Sequence, residues 1–441
     1  MAGKPMLCLE IDEHTADAGL LTRCEAFLDS IADLPPPARL ARPKPRKRRP
    51  DLKSRVLYGP RMSDHCLGMA AAFRSCGIEA RVLPETGPEA MDLARSYVSG
   101  KECYPCAVTT ADLLAKVLAP DFDPERSAFF MPGGTGPCRF GQYAAHHRLV
   151  LEMAGAGDVP VYSPVQDRSL YRELAEAGTR FARRAWEAVV GYDLLQHCLH
   201  RVRPHELDPG AADRLYASAS AGLERHLADP SKDIAAFLTQ VRGAFARIPR
   251  RREPRPRVLL AGEIFVRHNR FSNEDLVRRI EALGGEVVLA PFGEWVRYVT
   301  YIAVREARRS RDLTGFLKLA LRRKVQDSTT RRLEAALGDL AGHEPDVERI
   351  LALAAEYLPE DVRGEAVLTI GATLEAAPRV AGVVNAMPFG CMPGTISAAL
   401  LREASGKLDL PVISLPFDGT PHPASVLTLE AFMEQCRARG G

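Results

Sequence analysis

VLYGPRMSDHCLGMAAAFRSCGIEARVL, from Val56 to Leu83, decides the fold class. Val56-Leu57-Tyr58 reads as a strand, Cys66 to Cys76 as a helix closed by Gly77, and Glu79 to Leu83 as a second strand. Outward from it the alternation continues. A helix is expected over Glu89–Tyr97 and another over Thr110–Leu118. Ser127–Met131 then reads as a strand, Gln142–Met153 as a helix and Val159–Tyr162 as a strand. Short apolar runs alternating with helical segments predict a mostly parallel sheet covered by helices. Residues 168–249 are helical in pattern, with a polar break at Arg203–Gly210. The cycle then restarts with strands at Arg257–Ala261, Glu286–Ala290, Val380–Asn385 and Pro411–Leu415. Helices are expected over Asn273–Leu283 and Thr395–Ala404, with a long charged helical region over Val299–Leu358. Two α/β domains of similar plan follow, with functional loops at the carboxyl ends of their strands. The expected boundaries are a terminal strand–helix element (1–35), a basic proline-rich linker (36–54), and α/β domains over 55–250 and 251–441.

A chain of 441 residues, 46% hydrophobic and 26% charged, has enough apolar material for at least two cores and is neither disordered nor collagen-like in composition. Its net charge of +3 conceals two basic runs, Arg42–Arg49 and Arg247–Arg257. Both are proline-rich and lie between patterned segments, so solvated linkers are expected rather than a nucleic-acid surface. The opening MAGKPMLCLEIDEHTADAGLL lacks a signal-peptide core, and no window approaches the roughly 20 apolar residues that span a bilayer. A cytoplasmic protein without membrane partners is the expectation. Ten unevenly spaced cysteines do not resemble a disulfide framework; in a reducing compartment they point to metal, redox chemistry or core packing.

Three glycine- and proline-bounded islands carry the notable cysteines: GKECYPC (Gly100–Cys106), GPCRFG (Gly136–Gly141) and PFGCMPG (Pro388–Gly394). Cys103 and Cys106 form a C-x-x-C, read as a redox pair, a metal half-site or an accident. A helix beginning after Cys106 would lower a thiolate pKa through its orphan amides. Cys138 and Cys391 sit in loops whose glycines permit close backbone approach. Four thiolates on three loops match the count that holds a [4Fe–4S] cluster; structural zinc uses the same number but favours two close pairs. Cys66 is a candidate substitute ligand, while Cys8, Cys24, Cys76 and Cys436 read as packed or partly buried thiols. Cys198 is expected to be packed, with His197 and His200 at the surface, because the three do not converge on one helix face. No phosphate-binding G-x-x-x-x-G-K-[ST] or dinucleotide G-x-G-x-x-G signature is present. Glu263 and Arg267, after the Arg257–Ala261 strand, and the Gly133–Gly136 loop are weaker pocket candidates. Trp295 is read as an interface or core aromatic.

The chain resembles the 2-hydroxyacyl-CoA dehydratase family, in particular the dehydratase-like C-terminal region of CoA-enzyme-activase-related proteins. The phrases that carry this are YGPRMSDHCLGMAAAFRSCGIEARVLP, SGKECYPCAVTTADLL, DPERSAFFMPGGTGPCRFGQY, GEIFVRHNRFSNEDLVRRIEALGGEVVLAPFGEW and NAMPFGCMPG. DEHTADAGLLTRCEAFLD resembles the end of a preceding module in such longer proteins. The resemblance implies two flavodoxin-like or Rossmann-like parallel-sheet domains and an oxygen-sensitive [4Fe–4S] cluster, with Cys103, Cys106, Cys138 and Cys391 at the motif positions. It further implies a separate ATP-dependent activator with its own cluster, delivering one low-potential electron. In dehydratases of this kind the electron goes to the thioester carbonyl of a 2-hydroxyacyl-CoA; related proteins reduce small molecules instead. An acyl-CoA substrate and a dehydratase-like partner subunit belong to the same expectation, as does the alternative of a non-catalytic iron–sulfur scaffold or sensor.

Overall fold

The computed structural model describes residues 5–9, 15–32, 51–136, 138–165, 178, 180–342, 346–420 and 422–440. The chain divides into two compact units, Met1–Pro50 and Asp51–Gly441. In the first, helix α1 (Asp17–Ala32) is the regular element among the described residues, and it buries no side chain. Residues 5–9 form no strand, contrary to the expectation over Met6–Ile11, and Cys8 there is exposed rather than packed. The basic run Arg42–Arg49 lies outside the described residues.

The second unit is an α/β structure built on two four-stranded, all-parallel sheets. In chain order the first half comprises β1 (Val56–Gly59), α2 (His65–Arg74), β2 (Ala80–Val82), α3 (Pro88–Ala94), α4 (Tyr104–Val117), β3 (Ser127–Phe130), α5 (Tyr143–Met153) and β4 (Val161–Tyr162). Three helices follow: α6 (Phe181–Val202), α7 (Ala211–Ala228) and α8 (Ile234–Ala246). The second half comprises β5 (Arg257–Gly262), α9 (Ile264–His268), α10 (Leu276–Ala282), β6 (Glu286–Leu289), α11 (Gly293–Arg309), α12 (Leu313–Leu337), α13 (Val347–Ala354) and α14 (Glu365–Ala376). It closes with β7 (Gly382–Pro388), α15 (Met392–Leu408), β8 (Val412–Phe417) and α16 (Pro423–Gly440).

Strand order is β2-β1-β3-β4 in one sheet and β6-β5-β7-β8 in the other, the same plan twice. In each, the chain leaves the first strand toward one edge and returns to its other side. That reversal leaves a crevice at the carboxyl ends of the two central strands, where α/β proteins place their ligands. The close pairing of β5 with β7 has a specific requirement. Gly262 has φ +108°, and a Cβ there would run into the Ala386 backbone.

Two element boundaries differ from expectation for identifiable reasons. Helix α4 begins at Tyr104, before Cys106, because Pro105 sits in the first turn, where its missing N–H costs nothing. Helix α10 begins at Leu276, not Asn273. The Asn273 amide instead donates to the Val266 carbonyl (2.7 Å) and accepts from the Leu276 N–H (3.1 Å), bracing the preceding loop.

The two sheets are joined through α4 and the helical layer. Tyr104 and Val108 of α4 are buried in the core of the second sheet with Val258, Leu260, Val384 and Phe417. Each such apolar burial contributes roughly 1.5–3 kcal/mol. Asn269 donates to the Arg61 carbonyl at 3.0 Å, and Asp193 of α6 bridges His65 (2.9 Å) to the Phe292 and Gly293 amides (2.8 Å each). Helices α6–α8 and the second half of α12 share a core that includes Trp186, Leu195, Leu223, Phe245 and Leu333.

Candidate metal centre

The three cysteine islands occupy equivalent backbone positions. Cys103, Cys138 and Cys391 each hold extended φ/ψ immediately before a helical turn: α4, the 3₁₀ turn Arg139–Gln142 and α15. Pro105 and Pro393 lie in the first turns of the two α-helices. Such N-termini present unpaired amides and a positive dipole end, a setting that favours an anionic thiolate. Glu263 holds the matching position before α9, where its carboxylate accepts from the Phe265 (3.1 Å) and Val266 (2.9 Å) amides.

Burying the Tyr104 face of α4 in the second sheet brings Cys103 to this group from the first. Cys103, Cys138 and Cys391 all feel the charge of Glu263, and Cys138 also feels Cys103, while Cys391 feels Cys138. The Arg139 guanidinium ties the second island to the first by donating to the Lys101 carbonyl at 2.9 Å. Desolvation is the leading influence on every one of these thiols. It raises Cys103, pushes Cys391 up to about 12, and pushes Cys138 up to about 11 although that residue lies at the surface. The Glu263, Glu365 and neighbouring cysteine charges add to the rise at Cys138 and Cys391.

Two groups were not legible as site residues in the sequence. The Tyr143 phenol lies 2.7 Å from Cys103 Sγ. Burial holds the phenol well above its ordinary pKa, so it remains a donor to the sulfur. Glu365, at the start of α14, accepts from the Ile264 amide at 2.9 Å and faces Glu263. Burial raises both carboxyls, and Glu263 raises Glu365 further. Neither residue has a local motif; α14 and α5 bring them in through tertiary packing.

Cys106 lies in the first turn of α4, beside Cys103. It is buried with Met131, Tyr143 and Ala144, and its charged neighbours are Cys103 and Glu102, not Cys138 or Cys391. Its position inside α4 gives it no lowered pKa: burial pushes it up to about 12. Cys66 is electrostatically linked to Arg61 and Asp64 and is not brought to the island thiols. Cys198 is packed as expected, its sulfur 3.7 Å from the Leu340 carbonyl oxygen. His200, however, is buried rather than at the surface, because helices surround α6 on its several faces.

Arg267 does not form an ion pair with Glu263. It donates to the Gly262 (2.9 Å) and Pro291 (3.0 Å) carbonyls and lies 3.6 Å from Glu294, whose carboxyl burial pushes up to about 7. It also lines a cavity of about 280 Å³ with Arg61, Arg203, His200, His268 and Arg270. Neither Gly133–Gly136 nor any cysteine lines that cavity. The Gly133–Gly136 loop is instead pinned by the Gly133 amide donating to the Pro164 carbonyl (2.9 Å). Trp295, half-buried, packs against the core beside Tyr298, ring centroids 5.5 Å apart.

Neither a protein-family model nor a curated protein matches the chain. Among the described residues, no group of three or more His, Cys, Asp or Glu side chains converges on a single metal ion. The donor set is nonetheless chemically apt for iron–sulfur binding. Thiols gathered at helix N-termini, desolvated and mutually repelling once ionised, gain from a metal that deprotonates and bridges them.

Proposed function

We propose that this chain is an iron–sulfur electron-accepting component related to the 2-hydroxyacyl-CoA dehydratases, reduced by a separate ATP-dependent activator. Cys103, Cys106, Cys138 and Cys391 are the proposed protein ligands of its [4Fe–4S] cluster. The supporting observation is that Cys103, Cys138 and Cys391, from three separate loops on two sheets, share one electrostatic neighbourhood around Glu263. Cys106 joins the set through Cys103, its strongest charged neighbour, which packs against the same core. When bound, the cluster supplies a store for one low-potential electron.

The chain's own residues would tune that site. Tyr143 donates a hydrogen bond toward Cys103, and the Cys106 and Gly394 amides favour the Cys103 and Cys391 thiolates. The desolvated Glu263–Glu365 pair retains a proton more readily than free carboxylates and so limits negative charge beside the thiolates. The arginine-rich cavity reached by Arg267 supports a small polar or acyl-bearing acceptor bound nearby. An acyl-CoA and a dehydratase-like partner subunit complete this reading. One observation favours the non-catalytic scaffold as a second reading: no cysteine lines the cavity.

The test is anaerobic reconstitution with iron and sulfide, dithionite reduction and EPR, with and without added 2-hydroxyacyl-CoA. A reduced-cluster signal perturbed by the thioester is the expected result. A signal indifferent to it supports the scaffold, and no cluster signal after reconstitution contradicts both.

A further inference from the structure

The hairpin formed by α11 and α12 carries a feature that the thiol site does not use. Over its first half α12 buries nothing: the buried residues of Leu313–Leu337 are Gln326, Thr330, Leu333 and Leu337. Leu313, Leu317, Leu321 and Val325 are 74%, 66%, 64% and 47% exposed. Residues four apart lie on one helix face, so these side chains form a continuous ridge, unlike singly scattered surface leucines. Helix propensity does not account for them, since Lys, Glu and Gln serve about as well as Leu, and Val serves worse. A row at this spacing is the surface that packs into the groove of another helix.

The rim of the ridge has one sign of charge. Lys318 and Lys324 on α12, and Arg308 and Arg311 at the hairpin turn, are exposed and form no ion pair among the described residues. Neighbouring Arg305, Arg309 and Arg323 are already matched by Glu360, Asp361 and Glu348. The nearby Asp312 carboxylate is occupied in capping α12, accepting from the Gly315 amide at 2.9 Å.

We propose that this ridge docks an acidic amphipathic helix of a partner protein. The partner's apolar face would cover Leu313, Leu317, Leu321 and Val325, and its carboxylates would meet Lys318, Lys324, Arg308 and Arg311. A second copy is disfavoured because a twofold pairing of the ridge brings the same cations together. The inference is independent of the iron–sulfur reading.

The test uses the full chain and two labelled synthetic helical peptides with the same leucine face, one with glutamate on its polar face and one with lysine, followed by fluorescence anisotropy. The glutamate peptide is expected to bind, more weakly as salt rises, and the lysine peptide to bind at least about tenfold more weakly. Leu317→Asp with Leu321→Asp is expected to weaken binding about tenfold with an unchanged circular dichroism spectrum. Lys318→Glu with Lys324→Glu is expected to transfer the preference to the lysine peptide. Four results overturn the proposal. These are no binding, equal binding of both peptides, ridge-dependent dimerisation in sedimentation, and ridge-dependent pelleting with phosphatidylglycerol vesicles.

Discussion

At the scale of single residues, the contact between Tyr143 and Cys103 defines what the protein does to a sulfur before any metal arrives. Burial disfavours the Cys103 thiolate, and the phenol hydrogen bond opposes that effect. A hydrogen bond to a charged acceptor contributes about 1.5–3 kcal/mol, and 1.4 kcal/mol corresponds to one pKa unit. Tyr143→Phe is therefore expected to raise the pH midpoint of Cys103 alkylation in the metal-free protein by about one unit or more. Site-resolved mass spectrometry after iodoacetamide treatment measures it, and an unmoved midpoint contradicts the assigned role. The sequence marked Cys103 through its proline and glycine neighbours, but Tyr143 gave no comparable sign. Its role depends on where α5 packs, and no local pattern encodes that.

At the scale of elements, helix α4 links the site to the stability of the fold. It carries Cys103 at its start, Tyr104 and Val108 on the second sheet, and Asp112 deep in its interior. The Asp112 carboxyl accepts from the Thr86 hydroxyl, yet burial pushes it up to about 7. The folded state thus holds a proton that the unfolded chain releases near its ordinary value of 3.8. The resulting stabilisation is complete below that value and is lost as pH rises through about 7. Asp112→Asn keeps a neutral side chain throughout, so its urea midpoint relative to wild type is expected to rise between about pH 5 and about pH 8. A difference that stays constant across that interval contradicts the assignment. The elements themselves were largely legible: the helix ending before Gly77, the polar break after α6 and the second run of strands all follow short-range pattern. The early start of α4 is not legible locally because a proline such as Pro105 fits a turn and a first helical turn equally well. The late start of α10 was missed because Asn273 spends both ends of its amide on the loop instead of opening the helix.

At the scale of the whole molecule, two sheets of identical strand order are held together in part by α4, whose Tyr104 and Val108 lie in the core of the second sheet. The parallel plan was visible in the sequence. A site shared by the three islands was expected from their thiol count and loop setting as well as from the resemblance, whereas the burial of Cys106 required the packing of α4 against α5. The shared thiol site is the central proposal. Its most direct test is the iron content of anaerobically reconstituted wild type and the four single variants Cys103→Ala, Cys106→Ala, Cys138→Ala and Cys391→Ala. Wild type is predicted to hold about four iron per chain, and each of the four variants to lose most of it. Full iron in Cys391→Ala, or loss confined to the Cys103 and Cys106 variants, would contradict the shared site.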